Sequence, residues 1–224
     1  FSISVERLNR LSPSMTRVGL SATIATLEEI AKFVVGYKNG VLRDFKIVDV
    51  RGNLDTRLRK MAEGQFEAMV LSAAGIDRLG MSDRITERIP SEICLSAVGQ
   101  GAIGVEIRKD DQEMKEIISH LDHLPTHLAI AAERALMKRL EGGCQVPIGA
   151  LGEVNGNQLR LQAVIVSLNG EKLFRDEIVG EVREAETLGR RLADRLLEMG
   201  GREILEEIRE KIHFAASAFT GFFS

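Results

Sequence analysis

The stretch from Ala150 to Gly180, "ALGEVNGNQLRLQAVIVSLNGEKLFRDEIVG", constrains the fold more than any other part of the chain. Two Asn-Gly steps, Asn155-Gly156 and Asn169-Gly170, separate three β-rich runs. Asn-Gly readily takes the positive φ that tight hairpin loops demand, and loops this short join only antiparallel neighbours. A three-stranded antiparallel sheet is therefore expected. Such a sheet needs a cover on one face. The longest helical pattern, Thr126 to Leu140, precedes it, and Glu184 to Ile208 follows as one or two helices broken near Gly200-Gly201. Together these predict a small α+β domain.

Upstream the texture is α/β. "LDTRLRKMAEG" (Leu54 to Gly64) reads as a helix closed by its glycine, and "FEAMVLS" (Phe66 to Ser72) as a buried strand. "AAGIDRLGM" is a short helix, "SAVGQGAIGVEI" places a glycine-rich turn ahead of a strand, and "DDQEMKEIISHL" is a surface helix whose acidic start suits its dipole. Before residue 51 the pattern is helix, strand, helix, strand. It includes the strand "RVGLSAT", a capping box of Thr26 and Glu29 ahead of the helix "LEEIAKFVVGY", and the strand "FKIVDV". The tail "HFAASAFTGFFS" is apolar and fits no element, and the start "FSISVERLNR", without an initiator Met, points to an excised piece.

Composition narrows the function classes. A net charge of −3 argues against a partner held by bulk electrostatics, nucleic acid above all, but leaves room for a local cationic pocket. No run approaches the roughly 18 apolar residues of a membrane span, and no signal peptide is expected. The two cysteines, Cys94 and Cys144, lie far apart with no CxxC and no paired His, so neither a metal nor a disulfide framework is implied. The cytoplasm is the default compartment for such thiols.

The chemistry-bearing candidates follow from spacing. In "LEGGCQVPI" (Leu140 to Ile148) two glycines end a helix and Pro147 stiffens the exit, so Cys144 is offered by a loop. It reads as a nucleophile or covalent anchor, or else as a small apolar residue filling a turn. His120, His123 and His127 lie on another segment and read as solvated helix residues. "RGNLDTRLRK" delivers Arg51 at a strand end and Arg57 early in a helix, and Arg78 on the next short helix would share that edge if the strands are adjacent and parallel. Three guanidiniums at the C-terminal ends of strands suit a polycarboxylate, while a solvated helix face is the plainer alternative. Gln100, in "AVGQGAIG", reads as facing a cleft from a tight turn that is neither a dinucleotide fingerprint nor a Walker loop. Cys94, between apolar neighbours in "SEICLS", reads as buried and inert.

"VRGNLDTRLRK", "LSAAGIDRLG", "AVGQGAIGVEIR", "AAERALMKRLEGGCQVPIGA" and "GGREIL", in this order and spacing, closely resemble porphobilinogen deaminase, also called hydroxymethylbilane synthase, from about Asp49 to about Ile208. The resemblance implies a transferase of tetrapyrrole (porphyrin and haem) biosynthesis, which joins four porphobilinogen units head to tail with release of ammonia. It implies a dipyrromethane cofactor held by a thioether to Cys144. Arg51, Arg57 and Arg78 would bind acetate and propionate side chains, with Gln100 lining the same cleft. The implied fold is α/β, periplasmic-binding-protein-like and truncated, followed by the small α+β domain with its three-stranded antiparallel sheet. A monomer is the expected state.

The first 50 residues depart from this family. Its segment carrying the catalytic aspartate and its paired-arginine segment have no counterpart: Asp44 and Asp49 stand in other contexts, and Glu28 and Glu29 occupy the place of the arginine pair. No catalytic residue is identified. "LSPSMTRVGLSATIATLEEIAKFVVGYKNG" instead resembles the region around the SAT motif of superfamily 2 helicases of the Lhr type, without a Walker lysine or DExH box. A chimeric gene or a mis-joined assembly, meeting at "VDVRGN", is the plainest account, ahead of a natural fusion. The expected organisation is a helicase-like segment (1–50), a partial deaminase core (51–120), a C-terminal cofactor-anchoring domain (121–212) and an unplaced tail (213–224). The expected chain keeps its anchor and lacks its acid, so it is inactive or badly crippled. The rival expectations are a helicase-associated nucleic-acid-binding fragment and an inert chimeric fragment.

Overall fold

The computed structural model describes residues 37–38, 41–42, 48, 50–141 and 147–210. Most of the helix–strand–helix–strand expectation before residue 51 lies outside these residues, as do Cys144 and the tail. Within them, Tyr37, expected at the end of a helix, pairs instead in a minimal antiparallel hairpin of β1 (Tyr37–Lys38) and β2 (Val41–Leu42). Val48 and Val50, expected in a strand, belong to none.

The expected sheet forms. β3 (Ile148–Asn155), β4 (Gln158–Val166) and β5 (Leu173–Glu181) pair antiparallel in that order, with Ile148 opposite Ile165 and Val164 opposite Arg175. Central β4 explains its own sequence. Leu159, Leu161, Ala163 and Ile165 point to one face and are fully buried against the helices. Val164 and Val166 point to the other face and pack with Leu95 and Leu151. A strand buried on both faces loses the polar alternation of a half-exposed one, hence "AVIV".

Four further helices precede the sheet: α1 (Leu54–Ala62), α2 (Ala73–Arg78), α3 (Gln112–Ser119) and α4 (Leu124–Arg139). Asn53 and Asp111 cap α1 and α3 by accepting from the N–H groups of Thr56 and Met114 at 2.9 and 3.0 Å. α4 starts two residues earlier than the apolar spacing suggests, because Pro125 is preorganised for a first helical turn. After the sheet, α5 (Ala185–Leu196) continues through a π-helical turn, Leu197–Gly201, into a further helix over residues 202–210. The break falls where expected: Gly200 has φ +117°, which a side chain would strain. Helices α4 and α5 and the terminal helix cover the β4 face with Ala132, Leu136, Leu188, Leu192, Leu196 and Ile204.

Two expected strands do not form. Residues 66–72 and 102–107 run without regular structure and are partly or wholly exposed, with Ile103 at 72% and Val105 at 56% exposure. A buried-strand sequence becomes a strand only when another strand meets its backbone, and among the described residues none does. The helix and turn chemistry between them holds, since capping is local.

Candidate functional site

Arg51, Gly52 and Asn53 lead into α1, and the helix reaches back to hold them. Arg57 Nε donates to the Gly52 carbonyl at 2.9 Å and Lys60 Nζ to the Arg51 carbonyl at 3.3 Å. Leu54 lies over Gly75 of α2, its Cδ2 3.7 Å from where a Cβ would stand. α2 in turn meets the glycine turn: Ala74 lies against Gly101, Arg78 Nη2 donates to the Gly101 carbonyl at 3.3 Å, and Gln100 Nε2 donates to Ser72 Oγ at 2.9 Å. One continuous set of contacts thus connects the surroundings of Arg51, Arg57, Arg78 and Gln100. Arg51, Arg78 and Gln100 are exposed and Arg57 is partly so.

In ionic state these arginines resemble Arg84, Arg134, Arg175, Arg191 and Arg202, and differ from nine others. Arg59, Arg88, Arg108, Arg139, Arg160, Arg183, Arg190, Arg195 and Arg209 each pair with a carboxylate. Among the described residues, no acid lies within ion-pair distance of Arg51, Arg57 or Arg78. Arg57 and Arg78 each lend one N–H to a neutral carbonyl and keep most of the guanidinium fork for another acceptor.

Cys144 lies outside the described residues, but both stems of its loop are fixed. At one end Leu140 is buried, and Arg209 Nη2 donates to its carbonyl at 3.2 Å and pairs with Glu141 at 3.0 Å. At the other, Val166 N–H donates to the Pro147 carbonyl at 3.1 Å. The second thiol, Cys94, is partly buried, and burial pushes its pKa up to about 11 against a small opposing pull from Arg175. That fits the inert residue expected from its neighbours. His120, His123 and His127 are exposed, as their helix context suggests.

Sequence reasoning missed Glu133. It sits in the middle of α4, 3% exposed, where an apolar residue would be the default. Its two carboxylate oxygens accept from Gly99 N–H at 2.7 Å and Gly152 N–H at 2.8 Å. Burial holds its carboxyl above the ordinary range, and the two amides only partly oppose that. A glutamate inside "AIAAERAL", flanked by alanines on a buried helix, is the signal that could have found it.

An open groove of about 460 Å³ between α4 and α5 is lined by Arg134, Lys138, Arg139 and Arg190 together with Glu141 and Glu186. The acids there offset the cations, and Arg190 is committed to Glu186 at 3.1 Å. No helix among the described residues is long and apolar enough to cross a membrane.

Two family models match the chain. "Porphobilinogen deaminase, dipyromethane cofactor binding domain" matches residues 34–116, and "Porphobilinogen deaminase, C-terminal domain" matches residues 127–198. The porphobilinogen deaminase of Desulforudis audaxviator is 52% identical over 166 residues, 74% of this chain and 54% of that protein. That of Pelotomaculum thermopropionicum is 49% identical over 168 residues, with 75% and 54% covered. That of Carboxydothermus hydrogenoformans is 46% identical over 197 residues, 88% and 60%. The chain spans about half the length of the curated relatives it matches. The last match is longer than the stretch from Asp49 to the C terminus, and the first family match opens at residue 34. The likeness to the deaminases therefore reaches into the stretch before residue 49, where a helicase-like segment was expected. Two models covering more than half the residues, and relatives near one-half identity, lead to one conclusion: the chain belongs to the porphobilinogen deaminase family.

Proposed function

We propose that this chain carries the cofactor-anchoring and carboxylate-binding parts of a hydroxymethylbilane synthase. Cys144 holds dipyrromethane through a thioether. Arg51, Arg57 and Arg78 neutralise the carboxylates of the cofactor and of bound porphobilinogen, and Gln100 lines the same cleft. The observation that carries this reading is the set of three arginines with no carboxylate partner among the described residues, joined by contacts to a glycine turn. Guanidiniums left without an internal acid suit a ligand that brings its own, and each pyrrole unit brings two.

The bound cofactor supplies the pyrrole end on which the chain of four units grows. The protein's own groups hold carboxylates and fix the geometry. The proton transfers need an acid in the place of the family's aspartate, and neither Asp44 nor Asp49 stands in that context. In this reading residues 51–120 belong to a periplasmic-binding-protein-like α/β core, residues 121–212 form the anchoring domain, and the chain works as a cytoplasmic monomer on a small molecule.

Intact-mass measurement of the purified chain tests the proposal. The expected result is an increment of a dipyrromethane that disappears in Cys144→Ser and persists in Cys94→Ser. An unmodified wild-type mass, or an increment that survives Cys144→Ser, overturns it.

A further inference from the structure

Residues 91–101 run between the two halves of the described chain. Ser96 and Ala97 meet β3, with the Ala150 N–H donating to the Ser96 carbonyl at 2.9 Å and a bridge between Ala97 and Gly149. The chain then turns at Val98–Gly101, and the turn presents Gln100 toward Ser72 of the α2 side. Glu133 is the group that holds this turn from behind. It bonds the turn at Gly99 and the sheet at Gly152, from a helix whose C-terminal end leads into the Cys144 loop.

The choice of a carboxylate is informative. Burying a charge is expensive unless it is paired or fully hydrogen-bonded. No cation lies within ion-pair distance of Glu133 among the described residues, so two backbone N–H groups are its counterweight. A glutamine of the same shape has one acceptor oxygen, and its NH2 would confront the second N–H, donor against donor. An apolar residue would leave two buried N–H groups unpaired. Only a carboxylate serves both amides. The backbone is fitted to it: a Cβ on Gly152 would lie 3.0 Å from the Ala129 carbonyl oxygen, so α4 and β3 approach as closely as a glycine permits.

We infer that Glu133 is a positioning residue, which locks the Gln100-bearing turn and the helix leading to Cys144 into one register. The lock follows from the geometry alone. Its consequence for cofactor loading rests on the function proposed above. Glu133 touches no ligand and acts through the turn.

The test compares wild type, Glu133→Gln and Glu133→Asp. Amide hydrogen exchange reads the lock directly. A lost charge-assisted bond should speed exchange at Gly99 or Gly152 by about tenfold or more in Glu133→Gln, while amides of β4 and β5 keep their rates. Glu133→Asp, one methylene shorter, should likewise release one of the two amides. Exchange at both glycines within about twofold of wild type in both variants would overturn the lock. The second readout is the fraction of folded chains carrying the mass increment at Cys144, in a cycle with Gln100→Ala. If Glu133 acts through the turn, the double variant loses no more than Gln100→Ala alone. Additive losses, or full loading in Glu133→Gln, would overturn the link to the site. A wild type that carries no increment would sink the functional proposal instead and leave the lock to the exchange result.

Discussion

A thiol is only as reactive as its thiolate is populated, and Cys94 is held inert on that ground. Cys94 lies beside buried Leu95, and its pKa of about 11 comes from burial. At pH 8 that leaves on the order of one thiolate in a thousand, against roughly a quarter for a free cysteine. Iodoacetamide at pH 8 should leave Cys94 unmodified in the folded chain and label it fully in urea, as read by peptide mass spectrometry. Below pH 11 its folded-state rate should rise about tenfold per pH unit, following the thiolate fraction. Rapid labelling at pH 8 would show an exposed thiol. This inertness was legible in "SEICLS", because apolar neighbours predict burial. Glu133 was not legible, because its partners are backbone amides 34 and 19 residues away and carry no side-chain signature.

Elements read correctly where their stabilising groups are local. The Asn-Gly hairpins and the Gly200 break are written within a few residues and appear where expected, and the Asn53 and Asp111 caps are equally local. The runs 66–72 and 102–107 needed a partner strand, and sequence pattern cannot guarantee one. Contact between helices is an intermediate case. Gly189 of α5 sits where a Cβ would come within 2.2 Å of the Ala132 carbonyl oxygen of α4. Glycine inside a helix is intrinsically unfavourable, so its presence marks a close approach. Gly189→Ala should gain about 1 kcal/mol of helix propensity and lose more, about 1–3 kcal/mol, by forcing α4 and α5 apart. The expected net is a lower urea midpoint with an unchanged slope. A raised midpoint would mean that the helices separate freely, and with them the packing that holds the stem of the Cys144 loop.

At the scale of the whole molecule, stability is unevenly distributed. Nearly all fully buried side chains belong to α4, the sheet, α5 and the terminal helix, whereas α1 and α2 bury only Leu58 and Ile76. The bridge between the regions is residues 91–97, docked on the second face of the sheet through Leu95 and through Arg175. Its guanidinium donates to the carbonyls of Ser91 and Glu92 at 2.9 and 2.7 Å and to Gln162 Oε1 at 2.9 Å. Arg51, Arg57 and Arg78 therefore stand on the weakly buried side and Leu140 on the strongly buried one, with the glycine turn between them. Local opening should follow that division. The N–H groups of residues 66–72 and 103–107 have no backbone partner among the described residues. In native-state hydrogen exchange they should exchange at close to the rates of an open chain. The β4 amides from Leu159 to Val166 should be slowed by about a thousandfold or more, because they open only with the core. Adding urea should bring β4, α4 and α5 to one common exchange isotherm, with α1 and α2 opening at lower urea. If α1 and α2 merged with that isotherm, the arginine side and the sheet side would be one cooperative unit, and the docking of residues 91–97 would be stronger than its one buried leucine, one arginine and short pairing with β3 suggest.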